Sequence, residues 1–312
     1  MMEAPVQLHC RHFNLIVVLG ATASGKTRVG VELAATLGGE IISADSRQVF
    51  RGMDIGTGKD LVEYGDVPYH LIDVTNPGDE FSLFSFLRLF NRAFDDISGR
   101  GKLPLLVGGT GLYLDAVVRA YRLAEVPPNP ELRAELSRLD DARLVARLLR
   151  LNSCLHNTTD LLDRDRLIRA IEIAENPGGG TVVAIPNLNP VVFGLRWERE
   201  ALRRRITARL RLRLQDGLIA EVDRLLTAGI TAETLDAYGL EYRYITRYLR
   251  GELNRNDMVQ KLAGAIHDFA KRQETWFRRM ERNGVKILWV DGAGRAAEEI
   301  LGYLAEDQQQ SD

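Results

Sequence analysis

Cysteine is nearly absent from the 312-residue chain; Cys10 and Cys154 are the only two, far apart in sequence. That excludes a disulfide scaffold and a multi-cysteine zinc fold. Long apolar runs are absent as well. No stretch reaches the roughly 18 residues of a membrane-span candidate. The apolar segment at 15–19 is short and leads straight into a glycine loop, unlike a secretory signal. A cytoplasmic protein with no membrane partner is expected. Lysine is scarce: 6 of the 41 basic residues, against 35 arginines. A GC-rich genome accounts for this as readily as selection for phosphate or carboxylate binding, which the planar guanidinium suits. No internal repeat is visible. What is present is ordinary for a globular chain: 45% apolar and 27% charged residues with a net charge of −2. That is enough for a sizeable core and about two domain-sized portions.

Apolar strand patterns at 14–19, 40–44, 70–74 and 104–107 alternate with helical patterns that include 81–97, and glycines stand at several strand ends. This predicts an α/β fold, a mostly parallel sheet with helices on both faces, of the P-loop NTPase-like kind. Ligands in such folds bind at the carboxyl ends of the strands. Near residue 121 the pattern changes. Pro127-Pro128-Asn129-Pro130 marks a linker, and 131–176 reads as helices through Leu132, Leu136, Leu139, Leu144, Leu148, Leu149, Leu167 and Ile171. A triple glycine after Pro177 closes that block, and 191–195 returns to the sheet. The expected organisation is a core at 1–120, a helical insertion at 121–189, and a return to the core at 190–312. The segment 286–290 is a candidate last edge strand, and the acidic, glutamine-rich stretch from Glu306 reads as a loose tail.

Gly20-Ala21-Thr22-Ala23-Ser24-Gly25-Lys26-Thr27 fits G-x-x-x-x-G-K-S/T at every fixed position, between a strand and a helix. Backbone N–H groups of such a loop face an anion, Lys26 contacts phosphate oxygens, and Thr27 holds Mg²⁺ through its hydroxyl. The motif does not say whether the phosphate belongs to a nucleotide or to a diphosphate leaving group. Asp45 ends the second strand, where a sheet presents reactive groups; a turn or cap role fits the spacing equally. The segment 48–59 has no clean period and reads as a binding loop. Gly108-Gly109-Thr110 ends the later strand in the same manner. Between Arg196 and Arg213 there are 8 arginines against 2 glutamates. Arg205, Arg209 and Arg213 follow at i,i+4 on one helix face, which is either a phosphate-facing stripe or a solvated face.

In these segments the chain resembles the tRNA dimethylallyltransferases, also called tRNA isopentenyltransferases. The resemblance rests on GATASGKT at 20–27, DSRQVFRGMDIGTGK at 45–59, LLVGGTGLYLDAV at 105–117, DRLIRAIEI at 165–173, GLIAEV at 217–222 and AKRQETWFRR at 270–279. It spans most of the chain in the family's order. It implies that the loop binds the diphosphate of dimethylallyl diphosphate, with Mg²⁺ as cofactor. It implies transfer of the dimethylallyl group to N6 of adenosine 37, beside the tRNA anticodon, with Asp45 as general base and Thr110 and Arg209 in the catalytic set. It places Asp45, Ser46, Gln48, Arg166, Arg169, Lys271, Arg272 and Gln273 toward the tRNA, and gives the insertion the task of gripping the anticodon stem-loop. A monomer is expected.

The chain departs from the family pattern at several positions. Ala21 replaces the common loop proline, Phe50 a tyrosine, and Asp60 a proline. Gly239-Leu240-Glu241-Tyr242 stands where G-Y-K/R-E/Q is usual. Ile266-His267 replaces T-R, and the I-H-P-x-D signature is missing near 155–163. These changes are expected to spare the diphosphate chemistry and to affect the RNA side. They leave prenylation of a free adenine nucleotide, a P-loop small-molecule kinase and a non-catalytic RNA-binding paralogue as alternatives.

Overall fold

The computed structural model describes residues 12–151, 163–176 and 182–309. In chain order the elements are β1 (Leu15–Gly20), α1 (Lys26–Leu37), β2 (Glu40–Ala44), β3 (Tyr69–His70), α2 (Leu83–Gly99), β4 (Pro104–Gly108) and α3 (Gly111–Val118). Next come β5 (Leu123–Ala124), α4 (Pro130–Leu136), α5 (Asp141–Leu151), α6 (Arg164–Ala174) and β6 (Val182–Val183). The chain continues with β7 (Pro190–Arg196), α7 (Arg199–Gln215), α8 (Leu218–Thr227), α9 (Ala232–Tyr238), α10 (Leu240–Leu249), α11 (Arg255–Arg282), β8 (Leu288–Asp291) and α12 (Ala296–Gln309). These form two compact units, one of residues 1–120 with 185–312 and the other of Tyr121–Ala184.

In the larger unit six strands form one sheet in the order β3-β2-β4-β1-β7-β8, and every pairing is parallel. β1 and β4 are buried along their whole length, so their sequences read as continuous apolar runs rather than alternating ones. Alternation still decides which face each residue serves. Ile16, Val18, Leu105 and Val107 pack with Leu33 and Leu37 of α1 and with Ile300 and Leu304 of α12. α2 lies against β2 and β4 with Phe86, Phe90 and Phe94 buried. The helices α7 to α11 build a further apolar cluster around Leu210, Val222, Tyr242, Ile245 and Leu262, which also takes in Val49, Phe50 and Met53 from the chain after β2.

The expected strand at 70–74 is cut to two residues. Leu71 and Asp73 have φ of 65° and 56°, which ends extended backbone at once. The break turns the Asp73 carboxylate onto Lys59 Nζ at 2.5 Å. The expected tail is also different: α12 runs on to Gln309, tied down by the fully buried Ile300 and nearly buried Leu304.

Among the described residues the smaller unit comprises helices α4, α5 and α6 and a short antiparallel ribbon of β5 and β6. Leu136, Leu144, Leu148, Leu167, Ile168 and Ile171 make its core. Leu149, expected among them, is 45% exposed, because its neighbour Leu148 takes the inward position on α5. The glycine run after Pro177 and the departure at 155–162 lie outside the described residues.

Candidate active site

β1, β4 and β2 are adjacent strands, and their carboxyl ends deliver the phosphate loop, Gly109-Thr110 and Asp45 side by side. The phosphate loop is shaped by left-handed backbone at Ala23 (φ 62°) and Gly25 (φ 86°). Such alternation turns successive N–H groups toward one point and makes an anion nest. α1 begins at Lys26 without a side-chain cap, so its first N–H groups face the same point. The carbonyls are tied back on the outer side. Arg205 Nε donates to Ala23 O at 2.8 Å and Trp197 Nε1 donates to Ser24 O at 2.9 Å. Because a trans peptide sets N–H opposite C=O, fixing the Ser24 carbonyl outward aims the Gly25 N–H inward. Thr22 N–H is used otherwise, donating to Gln273 Oε1 at 2.8 Å.

Lys26 is half-buried, and among the described residues its ammonium hydrogen-bonds only Ala21 O, at 3.5 Å. Burial lowers its pKa to about 8; Asp45 opposes the shift, while Arg209 and Arg213 add to it. Thr27 follows in the first turn of α1, half-buried. Asp45 Oδ1 accepts the Arg47 N–H at 2.9 Å, an Asx turn that fixes the carboxylate. Thr110 Oγ1 accepts the Ser46 N–H at 3.0 Å, and Thr110 N–H donates to Ala44 O at 3.1 Å. Thr110 thus clamps the segment that carries Asp45. The glycines around it are forced by close approach: a Cβ on Gly109 would lie 2.5 Å from Gln273 Nε2, and one on Gly111 2.4 Å from the Trp276 ring.

Gln48 and Gln273 were expected to face tRNA, but their amides are used inside the protein. Gln48 accepts from Ser43 Oγ at 2.9 Å and donates to Gly58 O at 3.0 Å. Gln273 Nε2 donates to Gly109 O at 2.8 Å, so this one side chain bridges the phosphate loop and the loop after β4. Lys271 and Arg272, beside it on α11, are exposed. In the smaller unit Arg166 is exposed. Arg169, in contrast, is committed to the unit's own structure: it pairs with the buried Glu172, and its Nη2 donates to Val126 O at 2.7 Å.

Arg205, Arg209 and Arg213 do share one face of α7, turned to the phosphate loop and the 54–60 loop. Arg209 Nη2 donates to Asp60 Oδ2 at 3.1 Å. Arg203, Arg204 and Arg211 are exposed, so the helix carries both a loop-facing stripe and a solvated face.

Sequence reading missed the anchor of the 54–60 loop. Glu221 of α8 is 1% exposed and accepts the N–H groups of Asp54, Ile55 and Gly56 at 2.8, 2.7 and 2.9 Å, with the Tyr242 hydroxyl at 2.8 Å. Lys59, fully buried, locks the same loop from inside through Phe50 O and the carboxylates of Asp54 and Asp73. The only local hint was GLIAEV at 217–222, too short to name a partner.

Several of the departures have a structural place here. Phe50 is buried against Tyr238, ring centroids 4.4 Å apart, and needs no hydroxyl. His267 Nε2 meets Thr207 Oγ1 at 3.3 Å and joins α11 to α7. Tyr242 holds Glu221. Asp60 and Glu241 both face Arg213, and Asp60 also binds Arg209.

A family model described as IPP transferase matches residues 48–280, and one described as isopentenyl transferase matches 13–64. The chain is 61% identical over 291 residues to tRNA dimethylallyltransferase 1 of Geotalea uraniireducens, covering 92% of this chain and 97% of that protein. It is 64% identical over 290 residues to tRNA dimethylallyltransferase 2 of Syntrophotalea carbinolica, with the same coverage. The crystal structure of the full-length tRNA isopentenylpyrophosphate transferase from Bacillus halodurans matches with a TM-score of 0.71 at 34% identity, over 95% of this chain and 97% of that one. A eukaryotic dimethylallyltransferase acting on tRNA shares the fold, with a TM-score of 0.75 at 20% identity over 95% and 79% of the two chains. With a matching family model over most of its length and relatives this close, the chain belongs to the IPP transferase family.

Proposed function

We propose that this chain transfers the dimethylallyl group of dimethylallyl diphosphate to N6 of adenosine 37 in tRNA. The observation that supports this best is the meeting of a phosphate nest, Lys26 and a clamped Asp45 at three adjacent strand ends. A P-loop kinase would also use a carboxylate base beside the nest, so it is the membership of the IPP transferase family that turns this pair toward amine alkylation.

Adenine N6 is a poor nucleophile because its lone pair is delocalised into the ring. Asp45 takes a proton from N6 as the N6–C1 bond forms. The C1–O bond breaks, and its electron pair leaves with the diphosphate, stabilised by the loop N–H groups, Lys26 and Arg209. Thr110 keeps Asp45 in place through the Ser46 N–H. The donor set also fits Mg²⁺. Among the described residues no cluster of three or more His, Cys, Asp or Glu side chains could cage a metal. Mg²⁺ needs no such cage, being held by one or two protein oxygens, substrate phosphate and water. Thr27 at the start of α1 is the residue that would hold it, and the ion would add positive charge beside the leaving diphosphate.

Target adenosine 37 lies in a single-stranded loop, so presenting its base costs little unpairing energy. Exposed Lys271, Arg272 and Arg166 are suited to RNA phosphates, and the insertion to the anticodon stem-loop. No helix among the described residues is long and apolar enough to cross a membrane; we place the enzyme in the cytoplasm, as a monomer.

The test offers purified protein, Mg²⁺ and dimethylallyl diphosphate to unmodified tRNA, with AMP and ATP in parallel, and reads products by mass spectrometry. One C5H8 unit on the adenosine beside the anticodon is expected. Product on free nucleotide alone, or none, would overturn the proposal. D45A should slow transfer by roughly 10²–10⁴-fold while tRNA binding changes little; parallel loss of both would remove Asp45 from the base role.

A further inference from the structure

The stripe on α7 extends one turn beyond Arg209 to Arg213, whose side chain is only 11% exposed. A guanidinium so deeply placed ordinarily has a closely hydrogen-bonded carboxylate. Arg213 has two carboxylates nearby and touches neither closely. Asp60 Oδ2 is 3.7 Å from Nη2, and Glu241 Oε1 is 4.0 Å from Nη1. Nη2 is buried and finds no hydrogen-bond acceptor among the described residues. The same Asp60 oxygen already takes the shorter bond from Arg209.

The two guanidinium ends converge. A Cβ built on Gly58 would lie 1.6 Å from Arg213 Nη2 and 2.2 Å from Arg209 Nη2, so both press on one glycine and share one carboxylate oxygen. Burial and the Arg209 charge together bring the Arg213 pKa down to about 10. Lys26 feels both arginines in the same sense. Lys26, Arg209 and Arg213 therefore stand close enough to repel one another, and Nη2 of Arg213 has no acceptor of its own among the described residues. A ligand with several anionic oxygens would satisfy them all, and guanidinium suits such oxygens in paired hydrogen bonds.

We propose that Arg213 is a second diphosphate-binding guanidinium beside Arg209, and that the donor's diphosphate displaces Asp60 from the pair. This rests on the reading of the loop as the diphosphate site. Asp60 is placed to yield. It is half exposed, with φ 45°, at the end of a loop whose preceding residue, Lys59, is locked by three partners. Its carboxylate can turn to water while the loop behind it stays fixed.

Isothermal titration of the full-length protein with inorganic diphosphate and Mg²⁺, together with KM for dimethylallyl diphosphate at saturating tRNA, tests this. R213M should weaken diphosphate binding and raise the donor KM by about 10–100-fold, the range for losing hydrogen bonds to a charged group, with KM for tRNA unchanged. R213K should recover part of the loss. D60N, an independent arm should R213M fail to fold, should tighten diphosphate several-fold. If R213M folds and binds diphosphate within twofold of wild type, Arg213 is only structural and the inference is wrong. If D60N weakens diphosphate, Asp60 is not its competitor. Failure of wild type itself to bind diphosphate would instead refute the loop reading, and this inference with it.

Discussion

Glu221 offers a sharp test of how the site is held. Its carboxylate takes four hydrogen bonds, three from consecutive backbone N–H groups and one from Tyr242. E221Q keeps the shape but replaces one acceptor oxygen with an NH₂ group. Whichever way the amide turns, at least one buried donor faces another donor. Each hydrogen bond to a charged group contributes about 1.5–3 kcal/mol, and an orphaned buried donor costs about 1–3 kcal/mol. Losing two of the four and weakening the rest gives roughly 4 kcal/mol, within the range for breaking a buried charge network. For a unit of this size about 2–4 °C of Tm accompanies each kcal/mol, so a fall of roughly 8–16 °C is expected by scanning calorimetry. Gly58 and Asp60 ride on the same loop, so donor affinity should fall as well. A loss below about 1 kcal/mol with unchanged donor affinity would show that the loop is held by Lys59 rather than by Glu221.

Lys26 gives a pH prediction. With its pKa near 8 it is charged below that value, so diphosphate affinity should decline as pH rises through about 8, and binding above pH 8 should draw in a proton, visible as a buffer-dependent heat. T110V removes the acceptor of the Ser46 N–H; kcat should fall with Asp45 misplaced while diphosphate affinity holds, as a KM and kcat split would show. At the opposite end of β2, Arg100 and His70 hydrogen-bond Glu40 and hold its pKa near 2, below the ordinary 4.5. A lowered carboxylate pKa stabilises the fold above about pH 4.5, and that stability drains away as pH falls toward 2. R100A should therefore raise the pH midpoint of acid unfolding.

Features whose causes are local were legible in the sequence. The phosphate loop, the strand before it and the helix after it occupy one continuous segment, and Asp45 and Thr110 could be placed because each ends an apolar run. Features made by distant pairs were not. Glu221 lies far along the chain from the loop it holds; its place on the apolar stripe of α8, between Leu218 and Leu225, marks it as inward-facing but names no partner. Gln48 and Gln273 look like donors for a substrate until their amides are traced to Gly58 and Gly109. Asp60 and Glu241 looked like separate departures, and only α7 standing between them shows that they answer the same arginine.

The two hydrogen bonds made by Gln273 also bear on synthesis. During synthesis the phosphate loop is made, with its motif complete, long before α11. Its Thr22 N–H, however, waits for a partner 251 residues downstream, and the Gly109 carbonyl waits for the same side chain. Arg205 and Trp197, which tie back the loop carbonyls, also arrive late. A nascent chain therefore carries the phosphate motif long before the side chains that hydrogen-bond its backbone exist.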